Sequence, residues 1–128
     1  MARNLQISDA EWEVMNVLWE QSPRSASEVA DALCERMSWH PRTVKTLLSR
    51  LVRKGVLRFK VEGNRYLYRP AVSREKSVRE ESASFMARVF GGEATPMLVH
   101  FVKNAPLSTE EIDELRSILD SRKKEEQP

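Results

Sequence analysis

HPRTVKTLLSRLVRK, residues 40–54, is the stretch whose reading decides the fold. Val44, Leu47, Leu48 and Leu51 recur at helical spacing with Val52 beside them, so one side of this segment is made for a core. Arg42, Lys45, Arg50, Arg53 and Lys54 crowd the rest of it. Pro41 suits a first helical turn, where its missing N–H would have no intrahelical partner. Gly55 is the residue type favoured just past a helix end. The segment therefore predicts a helix from Pro41 to about Lys54 with an apolar side and a cationic side.

Upstream, SDAE at 8–11 has the form of a capping box, a serine N-cap with a glutamate three residues on. Trp12, Met15, Leu18 and Trp19 mark one face of the helix behind it, which should end near Gln21 ahead of Pro23. SASE at 25–28 is a second box, and Val29, Ala32, Leu33 and Met37 give its helix an apolar side. Only the turn SWH separates that helix from Pro41. Downstream the period changes to two: VLRFKV sets Leu57, Phe59 and Val61 against Arg58 and Lys60, and YLYRP follows the turn at 62–65. Two short strands around Gly63-Asn64 predict a β-hairpin, with Pro70 ending the second strand. Helix, helix, helix, hairpin over residues 1–72 is the order of a winged helix-turn-helix, with the hairpin as wing.

Residues 73–128 turn helical and more acidic. Ser73 predicts a cap for a helix to about Phe90, with Val78, Phe85, Met86, Val89 and Phe90 on its apolar side, and Gly91-Gly92 breaks it. Thr95-Pro96 opens TPMLVHFVKN, and a third capping box, STEE at 108–111, precedes Ile112, Leu115, Ile118 and Leu119. The tail RKKEEQP is expected to fray. Three amphipathic helices in so short a segment bury too little surface to hold a core alone. A homodimer is the expectation, with Phe85, Val89, Leu98, Phe101, Ile112, Leu115, Ile118 and Leu119 at its interface. The fold class is thus mainly α with a small antiparallel β-hairpin: a winged helix plus a C-terminal helical dimerisation domain.

Charge says what the cationic side is for. The chain carries a net +2, yet residues 36–69 hold ten cations against the single anion Glu62, so this block is +9 and the remainder −7. A basic block in an acidic chain points to a polyanion met by one surface. In a helix-turn-helix the second helix presents its N-terminal residues to base edges in the major groove. Arg42, Thr43, Lys45 and Thr46 are the candidates for base readout: arginine can address guanine O6 and N7 together, and a threonine methyl can lie on that of thymine. Ser49, Arg50, Arg53, Lys60 and Arg65 are candidates for the DNA backbone, which positions without reading sequence. The aromatic residues need no base-stacking role: Trp12, Trp19 and Trp39 read as core, Tyr66 and Tyr68 as ordinary strand residues.

Other classes find little support. His40 and His100 stand apart from any carboxylate or cysteine at ligand spacing, so no metal or other cofactor is expected. Cys34, the single cysteine, excludes an internal disulfide and reads as a half-buried helix residue. There is no phosphate-binding glycine loop and no nucleophile motif, which argues against an enzyme. The N-terminus MARNLQISDAEWEV has no apolar h-region and no apolar run approaches a membrane span, so a cytoplasmic protein without membrane insertion is expected.

ISDAEWEVMNVLW, SASEVADAL, WHPRTVKTLLSRLVRKGVL and EGNRYLYRP together closely resemble the penicillinase-repressor family, the BlaI/MecI/CopY group of bacterial regulators, from about Ile7 to Leu119. The resemblance implies a winged helix, a helical dimerisation domain, and a dimer that blocks transcription from a palindromic operator, commonly of β-lactam-resistance genes. It also implies that Arg42, Thr43, Lys45 and Thr46 face the operator bases. In the β-lactam branch a membrane-bound sensor-protease leads to cleavage of an Asn-Phe bond in the dimerisation domain. His100-Phe101 stands at the matching place, with histidine for asparagine. The Cys-x-Cys cluster of the copper-responsive branch has no counterpart in this tail. Two alternatives stay open at the level of sequence. One is a winged helix used on protein or RNA; the other is a repressor answering a small ligand rather than a protease.

Overall fold

The computed structural model describes residues 7–126. Met1 to Gln6, on which part of the leader reading rests, and the last two residues of the tail lie outside that range. The elements are α1 (Asp9–Glu20), β1 (Arg24–Ser25), α2 (Ala26–Met37), α3 (Pro41–Arg53), β2 (Leu57–Glu62), β3 (Arg65–Pro70), α4 (Arg74–Phe90), α5 (Ala94–Asn104) and α6 (Thr109–Glu125). They form two compact units, one ending at Ser82 and the other beginning at Ala83.

In the first unit each helix starts where its cap dictates. Ser8 and Ser25 accept from the backbone N–H of Glu11 and Glu28, whose carboxylates accept in return from the serine N–H groups. The two boxes satisfy orphan donors locally and so fix both starting points before any tertiary contact forms. The reversal between α2 and α3 is made by Ser38, in the left-handed region at φ 56°, ψ 31°. Val14, Met15, Val17 and Leu18 of α1, Val29 and Leu33 of α2, and Val44, Leu47, Leu48 and Leu51 of α3 close on one core. Trp12, Trp19 and Trp39 pack against its rim rather than inside it, and the indole N–H of Trp19 donates to the Val72 carbonyl at 3.0 Å.

The hairpin forms around Gly63-Asn64, with Glu62 opposite Arg65, Val61 opposite Tyr66 and Phe59 opposite Tyr68. Gly63, at φ 62°, takes the first turn position and Asn64 stays at negative φ, which is the type II′ arrangement that follows the right-handed twist of the strands. A third strand was not foreseen. Arg24 and Ser25 pair antiparallel with Tyr68 and Leu67, giving the order β1-β3-β2. Two residues offer no alternation to read, so only the fold reveals them.

Three further expectations need correction. Cys34 is exposed: the inward stripe of α2 is Val29, Ala30 and Leu33, and the next residue along is turned well off it. The inward residue of α4 in the first unit is Ser77 rather than Val78. The tail expected to fray stays helical through Glu125.

The second unit contains the rest of α4, α5 and α6. Ser108 and Glu111 form the third capping box, whereas α5 starts after Glu93 with no side-chain cap. Phe85 meets Phe90 and Phe101 at ring-centroid distances of 6.0 and 6.2 Å, and His100 lies 6.2 Å from Phe90. No residue of α5 or α6 is buried. The unit has an aromatic knot and a wide apolar surface, not a closed core.

Candidate nucleic-acid interface

The two sides of α3 are cleanly separated. Val44, Leu47, Leu48 and Leu51 are buried, while Arg42, Thr43, Lys45, Thr46, Ser49, Arg50 and Arg53 are all exposed. The helix is thus held by its apolar side and presents the predicted readout and backbone candidates to solvent. On the wing, Arg58, Lys60, Arg65 and Arg69 are exposed as well. Arg58 and Arg69 are directly paired across the strands, two like charges that oppose each other without an anion between them.

Helix ends add to this field. α1, α2, α4 and α6 carry acidic residues in their first turns, which offset the positive end of the helix dipole; α3, like α5, carries none. Its cap is an imidazole: His40 Nδ1 accepts from the Arg42 N–H at 3.0 Å. The exposed N-terminus of α3 therefore keeps its full attraction for an anion. Thr46 donates its hydroxyl to the Arg42 carbonyl at 3.1 Å, which occupies the proton and leaves the methyl for apolar contact.

Lys54 departs from the expected cationic face. Its ammonium reaches Glu11 Oε1 at 2.6 Å, although the two residues are far apart in sequence. Glu11 is 1 % exposed on its side chain and Lys54 31 %. Burial pushes the Glu11 carboxyl up, but the Lys54 hydrogen bond, the Ser8 amide and the Lys54 charge together hold it below the ordinary carboxylate range. The pair ties the C-terminal end of α3 to the first turn of α1. Sequence reading counted the charge correctly and missed its destination.

Between α2, α3 and the wing runs an open groove of about 390 Å3, bordered by Ser27, Lys45, Asn64, Arg65, Tyr66 and Tyr68 among others. Glu28, held low first by the Ser25 amide, is lowered further by the charges of Arg65 and Arg24, which places the wing arginine near the start of α2. Burial, with a smaller effect from Tyr66, raises the Tyr68 phenol. Among the described residues there is no cluster of three or more His, Cys, Asp or Glu able to hold a metal ion. No helix among them is long and apolar enough to cross a membrane.

Comparison with known proteins gives a consistent picture. Residues 7–121 match the family model described as penicillinase repressor. The chain is 40% identical over 118 residues to the penicillinase repressor of Bacillus licheniformis, covering 92% of each protein. It is 32% identical to the methicillin resistance regulatory protein MecI of Staphylococcus aureus strain N315, over 94% of this chain and 98% of that one. A solution structure of the DNA-binding domain of the repressor BlaI superposes with a TM-score of 0.52 at 40% identity, over 58% of this chain and 90% of that one. Monomeric Bacillus licheniformis BlaI in complex with the blaP half-operator gives a TM-score of 0.51 at 40% identity, over 59% of this chain and 92% of that one.

Proposed function

The chain belongs to the penicillinase-repressor family, and we propose on that premise that it is a DNA-binding transcriptional repressor acting as a homodimer on a palindromic operator. The observation that carries the reading is the exposed side of α3: its N-terminal half offers Arg42, Thr43, Lys45 and Thr46 from a helix with no acidic residue in its first turn. The solved complex of the related BlaI with a half-operator supports it, since the shared part of the two chains is the winged helix. In this reading Arg42, Thr43, Lys45 and Thr46 meet bases, and Ser49, Arg50, Arg53, Lys60 and Arg65 meet the backbone. The regulated genes are those of β-lactam resistance or their relatives, and the protein works in the cytoplasm without a cofactor.

Dimerisation is assigned to the helical unit through Phe85, Val89, Leu98, Phe101, Ile112, Leu115, Ile118 and Leu119. Two recognition helices a turn or a multiple of roughly 34 Å apart then meet the two half-sites. Release follows from anything that breaks the helical unit. The route implied by the resemblance is a membrane-bound sensor-protease that leads to cleavage at His100–Phe101.

Binding of the purified protein to genomic fragments, recovered and sequenced in the presence of random-DNA and RNA competitors, tests the reading. One recurrent inverted repeat is the expected result; equal competition by RNA would overturn it. On the recovered site, Arg42→Ala is expected to cost about 1–3 kcal/mol and to relax specificity at the contacted position, with little loss on random duplex. Lys60→Ala should weaken every sequence alike and reduce the salt slope by about one. Titrations of both variants on both DNAs separate reading from grip, and identical losses throughout would refute the assignment of Arg42.

A further inference from the structure

The wing has a second face that the charge argument leaves unused. Strand pleating puts Leu57, Phe59 and Val61 of β2 on the same side as their partners Pro70, Tyr68 and Tyr66 of β3. At the base of the hairpin this face is core, with Leu57 buried. Toward the tip the same apolar line continues with nothing over it: Phe59 is 45 % exposed, Val61 53 % and Tyr66 50 %. Phe59 and Tyr66 lie ring on ring, 4.8 Å apart and 5° from parallel, so the two rings brace each other as one stiff block rather than as loose side chains. Tyr66 and Tyr68 also border the groove that contains Lys45 and Arg65. The tyrosine edge of the apolar plate and two cations therefore open onto one channel, and Phe59 and Val61 continue the plate beyond its lining.

We propose that this plate packs on the deoxyribose edge of a DNA strand whose phosphate is held by Arg65, beside the bases that Lys45 meets. The inference rests on the DNA reading above and adds to it a contact that ions do not screen. A nucleic-acid backbone presents, alternately, anionic phosphates and apolar sugar carbons, and this channel is bordered by both cations and aromatic rings. A folded protein is a poorer occupant. A stable protein interface covers about 800 Å2 on each partner, far more than three side chains provide, and the rim of the plate is cationic. The groove is continuous with the exposed side of α3, so a strand lying along Lys45 passes the plate.

Salt separates the two kinds of contact. Phosphate contacts set the slope of affinity against salt because each displaces condensed counterions, whereas apolar burial leaves that slope alone. The full-length protein and the duplex recovered by sequencing are titrated at several salt concentrations. Phe59→Ala is expected to bind about tenfold more weakly, the loss of one partly buried ring, with the salt slope unchanged. Val61→Ser, at a site already half in solvent, is expected to lose about threefold in the same manner. If thermal unfolding shows that Phe59→Ala has lost its fold, Val61→Ser decides. Wild-type affinity in the folded variants, or a loss that comes with a flatter slope, overturns the proposal while the DNA reading stands. So does loss of self-association without DNA, which would mark the plate as a protein contact. Failure of the unaltered protein to bind duplex in a salt-dependent way overturns the DNA reading itself.

Discussion

A protein carrying Leu115→Asp is expected to sediment as a monomer and to bind its full operator about 10²–10⁴-fold more weakly, the range that separates linked from unlinked binding modules. Ile112, Leu115, Ile118 and Leu119 are 42, 38, 51 and 62 % exposed on a single chain, and they recur along one side of α6. No residue of α5 or α6 is buried in the single chain, and the proposed homodimer is what would complete their core. A carboxylate at position 115 faces desolvation in the middle of that surface and is not offset by any partner. The proposed recognition helix α3 is untouched, since the winged helix lies in a compact unit ending at Ser82. Affinity for a duplex containing only one half-site should accordingly match that of the unaltered chain. Sedimentation velocity with paired titrations on full and half operators gives the answer, and an intact dimer or undiminished affinity for the full operator would defeat the proposed division of labour.

The second large effect is on stability. Lys54→Met leaves the Glu11 carboxylate in place, 1 % exposed, with only the hydrogen bonds of Ser8 and no countercharge. Breaking a buried pair by removing one partner costs about 3–5 kcal/mol, and the part-exposed ammonium puts this case near 3. For a unit of this size that lowers the thermal midpoint by about 4–8 °C for each kcal/mol. The pH dependence has a definite sign. The folded-state pKa of Glu11 is held low, so its contribution is complete above the ordinary carboxylate range and is lost as pH falls through the lowered value. Glu11→Gln should remove that acid-side loss and, combined with Lys54→Met, recover part of the stability lost by Lys54→Met alone. Thermal melts of the three variants from neutral pH down to pH about 3 cover the window. Equal stability of Lys54→Met and the unaltered protein would show that the pair is ornamental. DNA affinity measured below the melting range should keep its salt slope, because Lys54 points inward.

What could be read from sequence was what is written locally. Ser8-x-x-Glu11, Ser25-x-x-Glu28 and Ser108-x-x-Glu111 each settle a helix start within four residues, and all three boxes are formed. Pro41 and Gly55 bracket α3 in the same way, and the change of period at Leu57 marks the wing. The features that escaped are those set by distant parts of the chain. Lys54 looked like one more cation of the exposed helix because its partner lies in α1. Arg24-Ser25 was not read as a strand because its ladder is completed by the distant Tyr68 and Leu67. Phe59 and Tyr66 had the alternation of any strand, and alternation does not reveal where the cover of the core runs out. The bond from the Thr46 hydroxyl to the Arg42 carbonyl had no signal in the sequence either.

The cap of α3 carries a chemical consequence of its own. Because Nδ1 of His40 accepts the Arg42 amide, a neutral ring must carry its proton on Nε2. An aspartate at position 40 would serve the helix at least as well, but it would place a carboxylate at the tip that the proposed interface turns to DNA. The imidazole ends the same backbone ladder while presenting a hydrogen-bond donor in that place. What stabilises the element and what admits its ligand are here reconciled in one ring, through the choice of tautomer.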